Sequence, residues 1–222
     1  MRSLTTLVLW SLALGSVLAP WSLGAEPTDR WEADIRKFEE ADRKSPPAPG
    51  QVVFIGSSSI RLWKLAESFP DVPALNRGFG GSQLGDAARY AERIVTPYKP
   101  RVVVLYGGDN DLAAGKKPEA VRDDYKKFVG AVRGKLPNVK IVFIAIKPSP
   151  KRWALADQAK EANRLIRTEM KDPNQVFVNV WPYMIGTDGK PRRELYLPDE
   201  LHMTPEGYKL WAGLVRRHIE AN

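Results

Sequence analysis

The chain has 222 residues, no cysteine, two histidines and a formal net charge of +8. This length suits one domain with a substantial hydrophobic core, and 43% hydrophobic residues exclude a disordered chain. The lack of cysteine excludes disulfides, cysteine-ligated metal sites and a thiol nucleophile. Two histidines are too few for a multi-histidine metal cluster, so any histidine chemistry falls to His202 or His218.

The positive charge is distributed in short basic clusters that alternate with acidic residues, and no long basic tail is present. No nucleic-acid-binding motif accompanies these clusters, so we predict no nucleic-acid partner. A basic surface that faces anionic polymers or lipid headgroups is the better interpretation of the charge.

The first 25 residues are typical of an export signal. A positive charge precedes an apolar run from Leu4 to Leu18, and small residues including Gly24 and Ala25 follow it. The apolar run is shorter than the roughly 20 residues that a membrane span needs. We therefore predict a cleaved signal peptide over 1–25, a periplasmic or secreted protein, and no stable membrane span after cleavage. An uncleaved anchor is the alternative.

Next, a helix is predicted over Thr28–Arg43, with Thr28 as its cap and Trp31, Ile35, Phe38 and Ala41 on its inner face. A proline-rich linker follows and ends at Gly50. We predict that the helix and linker, residues 26–50, precede one folded domain at 51–222.

Short apolar runs alternate with helical patterns through the rest of the chain. The predicted strands are Val52–Ile55, Val72–Asn76, Val102–Tyr106, Ile141–Ala145 and Val176–Val178. Helical patterns begin at Ser59 and Pro118 and span Gln83–Val95, Trp153–Met170 and Pro205–Glu220. This alternation predicts an α/β sandwich around a parallel sheet, in which ligands bind beyond the carboxyl ends of the strands.

The first predicted strand ends in Gly56-Ser57-Ser58-Ser59. A serine at a strand-to-helix turn exposes its hydroxyl at the sheet edge, beside a helix N-terminus that favours a developing alkoxide. The alternative is that these serines only cap the helix.

Two further strand ends carry groups that suit an oxyanion. Glycines at 78, 80 and 81 allow backbone N–H groups to approach a ligand closely, and their spacing does not fit a dinucleotide-binding loop. After the third strand, Gly108 precedes Asp109 and Asn110, and an asparagine amide beside a glycine turn is a good oxyanion donor. An ordinary Asx turn is the alternative.

Asp199 and His202 lie just before the last helix. A three-residue offset within a turn lets the carboxylate reach the imidazole Nδ1, which leaves the other nitrogen as a base. A surface Asp–His pair without chemistry is the alternative. His218 lies near the C-terminus of the last helix, where we predict no chemical role.

Together these segments supply a nucleophile, oxyanion donors, a base and an orienting acid, as acyl transfer through serine requires, without metal or cofactor. They also resemble the SGNH (GDSL-type) hydrolase family, over about residues 51–218. The matching blocks are Gly56-Ser57-Ser58, Asn76 to Gly81, Gly108-x-Asn110-Asp111 and Asp199-x-x-His202. The most similar branch is that of the platelet-activating factor acetylhydrolase catalytic subunits and related exported bacterial esterases.

The resemblance implies a three-layer α/β/α sandwich with a five-stranded parallel sheet of the flavodoxin-like type. It implies Ser58 as nucleophile, His202 as base and Asp199 as the residue that orients it. The N–H groups of Ser58 and Gly81 and the Asn110 side chain would form the oxyanion hole. Ser57 stands where the family has aspartate; that aspartate is not part of the triad, so we expect activity to survive.

The sequence gives only a weak indication of the substrate. Arg152 and Trp153 follow the fourth strand and are predicted to rim the site, where they would meet an anionic polymer or stack on a sugar. A solvated loop is the alternative. Because no long apolar lid is visible, we predict short-chain esters, above all acetyl esters, of a small molecule or polysaccharide. An O-acyltransferase and a non-catalytic carbohydrate-binding protein are alternatives, and the sequence does not specify the oligomeric state.

Overall fold

The structure is a computed structural model and describes residues 30–220. The predicted signal peptide and the predicted cap Thr28 lie outside these residues. The strands are β1 (Val52–Gly56), β2 (Ala74–Gly78), β3 (Val102–Tyr106), β4 (Lys140–Ile144) and β5 (Gln175–Val178). The helices are α1 (Glu32–Lys44), α2 (Ser58–Arg61), α3 (Leu65–Ser68), α4 (Leu84–Ile94), α5 (Asp109–Ala113), α6 (Pro118–Arg133), α7 (Ala156–Glu169), α8 (Trp181–Met184) and α9 (Pro205–Ile219). Short 3₁₀ helices cover Thr96–Tyr98, Pro150–Leu155 and Arg193–Leu195.

The five strands form one parallel sheet in the order β2-β1-β3-β4-β5. Strands β1 and β3 are buried along their whole length, as expected where helices cover both faces of a parallel sheet. This order is that of flavodoxin-like folds. The predicted three-layer sandwich with a five-stranded parallel sheet is confirmed.

Alternate residues of each strand enter two separate cores. Val53 and Ile55 of β1 pack in the core that α1, α4, α6 and α7 cover. Val52 and Phe54 face the opposite core, which α2, α3 and α9 cover. The period-2 alternation of the strand side chains therefore separates the two helical layers. Among the described residues, no helix is long and apolar enough to cross a membrane.

Some predicted boundaries shift in the structure. Strand β2 begins two residues later than predicted, because the chain still turns at Val72, whose N–H bonds to the Phe69 carbonyl. The helical pattern from Ser59 splits into α2 and α3. Ala41 is exposed, although the predicted helix placed it on the inner face.

Helix α1 packs directly on the sandwich. Arg93 of α4 forms ion pairs with Glu32 at 2.7 Å and Glu39 at 2.8 Å, and the Trp31 ring lies edge-on to Phe79 at 5.7 Å. The proline-rich segment after α1 therefore connects α1 to the sandwich, and the two are in contact.

The register brings the carboxyl ends of three strands level with one another. Gly56 pairs with Gly78 on one side and with Tyr106 on the other. Because β1 and β3 flank the point where the strand order reverses, the loops that leave them diverge and open a crevice. Gly56 itself has φ +143°, and a Cβ there would lie 1.8 Å from the Tyr106 carbonyl oxygen, so only glycine fits.

Candidate active site

Ser58 is the first residue of α2 and lies at the strand-to-helix turn after β1. The structure distinguishes it from its two serine neighbours. Ser57 is buried and its hydroxyl has no hydrogen-bond partner among the described residues. Ser59 is also buried, and its Oγ accepts a hydrogen bond from Lys147 Nζ at 3.2 Å. Of the three, Ser58 alone is half-exposed and faces the predicted base.

His202 connects Ser58 to Asp199. Its Nε2 lies 3.0 Å from Ser58 Oγ, and its Nδ1 lies 2.5 Å from Asp199 Oδ2. The contact with a carboxylate favours the tautomer with hydrogen on Nδ1, so Nε2 is able to accept the serine proton. The structure therefore brings the three predicted triad residues together in the required order.

The Asp199 carboxylate is held in its ionised form. Partial burial would raise its pKa, but hydrogen bonds from the His202 ring and from the backbone N–H groups of Leu201 and His202 outweigh this effect and lower the pKa to about 2. At neutral pH the carboxylate therefore carries its charge, as a residue that orients an imidazole ring requires.

The loop that carries Asp199 and His202 is fixed at both ends. The Leu197 N–H bonds to the His202 carbonyl at 2.8 Å, and the Tyr196 hydroxyl bonds to the Pro148 carbonyl after β4. Thr204 then caps α9 through a 3.3 Å bond from the Gly207 N–H. These contacts hold His202 over the carboxyl end of β1.

The predicted oxyanion donors border the same cleft. Ser58, Gly81, Asn110 and His202 all line an open cleft of about 370 Å³. Gly81 has φ +77°, a conformation that suits glycine and that shapes the turn after β2. One hydrogen of the Asn110 amide binds the Ser82 carbonyl at 2.9 Å, which leaves the second for a ligand.

Two further polar residues of the matching blocks have structural partners. The Asn76 amide donates to the carbonyls of Ile60 and Trp63 at 2.7 and 3.1 Å, and so attaches β2 to the helix that carries Ser58. Asp111 is fully buried and accepts the N–H of Leu84 at the start of α4.

Behind the cleft lies a buried charged cluster that the sequence did not reveal. Asp109 contacts Arg152 at 2.7 Å and Lys147 Nζ at 3.4 Å, and Lys147 also bonds to the Tyr106 hydroxyl at 3.1 Å. Burial would raise the pKa of Asp109, but the charges of Lys147 and Arg152 outweigh it and lower the pKa. Burial and Arg152 together lower the pKa of Lys147 against the attraction of Asp109. A charged residue three positions after the end of a buried strand was the signal available for Lys147.

Arg152 and Trp153 do not line the cleft that Ser58 and His202 border. The Arg152 side chain is one-fifth exposed and donates to Asn110 Oδ1 at 2.7 Å. The Trp153 ring is half-buried and lies 6.3 Å from the Trp181 ring. In this structure Arg152 therefore contacts the predicted oxyanion donor, and Trp153 packs against another tryptophan.

His218 lies at the end of α9, away from these residues. Burial, with the nearby charges of Arg217 and Lys140, lowers its pKa. Within residues 30–220, no group of three or more histidine and acidic side chains is arranged to hold a metal ion.

Residues 59–210 match the family model described as GDSL-like Lipase/Acylhydrolase. No curated protein sequence matches the chain. Among solved structures, a protein described as a platelet activating factor from Streptococcus pneumonia aligns at 19% identity with a TM-score of 0.77, over 85% of this chain and 92% of that chain. A protein described as an acylhydrolase from Bacteroides fragilis aligns at 20% identity and a TM-score of 0.73, over 85% and 96%. A GDSL-like lipase from Bacteroides thetaiotaomicron aligns at 21% identity and a TM-score of 0.70, over 84% and 97%.

At such identities these three structures support the fold alone, whereas the family match covers more than half of the chain. The protein is therefore a carboxylic-ester hydrolase. It belongs to the GDSL-like lipase/acylhydrolase family, as the resemblance of its sequence blocks predicted.

Proposed function

We propose that the protein hydrolyses short-chain carboxylic esters, above all acetyl esters, through an acyl-enzyme on Ser58. The observation that carries this proposal is the continuous contact from Ser58 Oγ through His202 to Asp199. A serine hydroxyl is a weak nucleophile at neutral pH, and an adjacent oriented imidazole is the usual means of activating it.

In the proposed mechanism, His202 Nε2 removes the Ser58 proton as Oγ attacks the ester carbonyl. A carbon–oxygen bond forms, and the carbonyl electron pair moves to the oxygen. The N–H groups of Ser58 and Gly81 and the Asn110 amide stabilise this oxyanion. Collapse of the intermediate expels the alcohol, which takes the proton from His202. Water then repeats the sequence, releases the carboxylic acid and restores Ser58.

The walls of the cleft support a short acyl group. Of the nine residues that line it, Leu201 is the one aliphatic side chain. Each methylene group of a ligand contributes about 0.8 kcal/mol of binding free energy only where it is buried against apolar surface. A long acyl chain would gain little binding free energy here, because the cleft offers little apolar surface to bury it. We therefore expect no benefit from a longer chain.

Hydrolysis of p-nitrophenyl esters from acetate to octanoate tests the acyl preference. We expect kcat/KM to fall about tenfold or more along the series, because the polar walls offer no compensating burial. The reverse order would contradict the proposal. It would instead implicate an apolar groove of about 540 Å³ beside α2 and α9, which Leu62, Trp63 and Leu197 help to line.

Variants of neighbouring serines test the nucleophile. Ser58→Ala and His202→Ala should each abolish measurable turnover, whereas Ser57→Ala is the matched control and should retain it. A serine-directed phosphonate should label the wild type and Ser57→Ala but not Ser58→Ala. Full activity of Ser58→Ala would remove Ser58 from the mechanism. Acylated sugar as the main product with a sugar acceptor present would indicate an acyltransferase instead.

We also propose that the protein acts in the periplasm or outside the cell. The support is the export-signal pattern of residues 1–25. Cell fractionation followed by N-terminal sequencing tests this: a mature protein that begins near residue 26 is expected, and cytoplasmic protein that begins at Met1 would contradict it.

A further inference from the structure

Two arginine side chains border the same cleft as the catalytic pair. Arg61 is the last residue of α2, three residues after Ser58, and Arg30 precedes α1. A Cβ on Gly80 would lie 2.9 Å from Arg61 Nε, and a Cβ on Gly81 would lie 3.3 Å from Arg30 Nη2. The two guanidinium groups therefore lie against adjacent glycines of the loop proposed to bind the oxyanion.

Neither guanidinium forms an ion pair with a carboxylate among residues 30–220. Arg93, by comparison, has two glutamate partners on α1. The one carboxylate of the cleft wall outside the triad is that of Asp34, which contacts Lys37 at 3.6 Å. The cleft therefore presents two cationic groups that form no ion pair with a carboxylate of residues 30–220.

Local packing holds both arginines near the cleft. The Arg30 guanidinium lies 4.3 Å from the centroid of the Trp31 ring, in cation–π contact, and that ring packs on Phe79. Arg61 ends the helix whose first residue is Ser58, and Asn76 attaches that helix to β2. The cationic groups are therefore positioned by the same elements that position the nucleophile.

We propose that Arg30 and Arg61 bind an oxyanion of the substrate, a carboxylate or a phosphate, next to the ester that Ser58 attacks. This inference rests on the proposed esterase function and names its substrate class. A guanidinium group presents parallel N–H donors that match either oxyanion, and an exposed cationic pair also attracts anionic substrates to the cleft. An acetyl group carries no ionisable substituent. The oxyanion that the arginines bind therefore belongs to the alcohol part of the ester. The substrate is thus a short-chain ester of an acidic alcohol.

Matched aryl acetates test this assignment. The anionic substrates are 3- and 4-acetoxybenzoate and the corresponding acetoxyphenyl phosphates, and the neutral references are 3- and 4-acetoxybenzamide. For each enzyme the readout is kcat/KM for the anionic ester divided by that for its neutral partner, so differences in leaving group cancel between enzymes. The carboxylate and phosphate arms distinguish the two oxyanions.

We expect this ratio to fall about tenfold or more in Arg61→Met and in Arg30→Met, since each variant loses a charge-assisted contact. Arg61→Lys, which keeps the charge and loses the planar group, should fall between wild type and Arg61→Met. Arg164→Met is the matched control, because Arg164 pairs with Glu161 on the exposed side of α7. The wild-type ratio should also fall as salt rises from about 0.02 to 0.5 M, over which charges become screened.

An unchanged ratio in both methionine variants, with Ser58-dependent hydrolysis intact, would overturn the oxyanion site and leave the esterase proposal standing. An equal loss on anionic and neutral esters would also overturn it, because the arginines would then stabilise every ester's oxyanion. Absence of Ser58-dependent hydrolysis of all the acetates would instead overturn the proposed function itself. Thermal unfolding of each variant distinguishes these results from loss of folding; both side chains are exposed, so the variants should fold.

Discussion

At the scale of single residues, the notable feature is how the Asn110 amide is oriented. Its Nδ2 donates to the Ser82 carbonyl, and its Oδ1 accepts from Arg152, whose guanidinium is in turn paired with buried Asp109. With both ends of the amide bound, rotation that would turn Oδ1 toward the cleft costs two hydrogen bonds. Preorganised donors of this kind need no reorientation as negative charge develops on the substrate.

A double-mutant cycle tests whether Arg152 acts through Asn110. Asn110→Ala should lower kcat by about 10²–10³ and leave KM nearly unchanged, as expected for a lost oxyanion donor. Arg152→Met should lower kcat by about tenfold to hundredfold, because a misoriented donor loses much of its effect. In the Asn110→Ala background, however, Arg152→Met should have little further effect on kcat. Additive losses in the double variant would assign Arg152 a separate role.

Asp199 gives a pH-dependent prediction. Its pKa in the folded protein, about 2, lies below the ordinary value of 3.8, so ionised Asp199 stabilises the fold above pH 3.8. That stabilisation is lost as the pH falls from about 4 toward 2. The difference in free energy of unfolding between wild type and Asp199→Asn, measured with urea, should therefore shrink between pH 5 and pH 3. A constant difference over this range would contradict the assignment.

At the scale of elements, the site depends on the close contact of β1 with β3. Gly56 ends β1 opposite Tyr106, and the next residues lead into the helix that carries Ser58. Because the backbones approach so closely there, any side chain at 56 would have to displace a strand. The sequence pattern Gly-x-Ser is therefore explained by strand packing as well as by chemistry.

Gly56→Ala should destabilise the protein by about 3 kcal/mol or more, because overpacking adds to an unfavourable positive φ. Activity should fall with it, since α2 would shift. The control is Gly130→Ala within α6, where a Cβ meets nothing within 4 Å. The free energy of unfolding of that variant should rise by about 0.5–1 kcal/mol, because alanine has a better helix propensity than glycine. Urea unfolding measures both, and equal effects at the two sites would contradict this account of Gly56.

At the scale of the whole molecule, the sequence predicts the sheet, the three strand-end segments and the loop before the last helix well. Periodic burial identifies the strands, and parallel register then brings Gly56, Gly78 and Tyr106 level, so the loops after them meet. The arginine pair and the cluster around Lys147 were not predictable in this way. Arg30 approaches Gly81 only because α1 folds back on the sheet, and Lys147 is buried only because Tyr106 and Asp109 surround it. Such contacts depend on packing between distant segments, which periodicity does not encode.

Ser58 and His202 are 144 residues apart in the chain, and the latter is held by a short loop just before the final helix. The candidate active site is thus completed by a contact between residues that are far apart in the sequence. Such contacts form late in folding, because much chain entropy must be lost before they can form. An intermediate with the sheet assembled but α9 undocked would hold Ser58, the proposed nucleophile, without His202, its proposed base. Recovery of esterase activity during refolding should therefore coincide with the docking of α9, and a nascent chain should stay inactive until α9 has been synthesised.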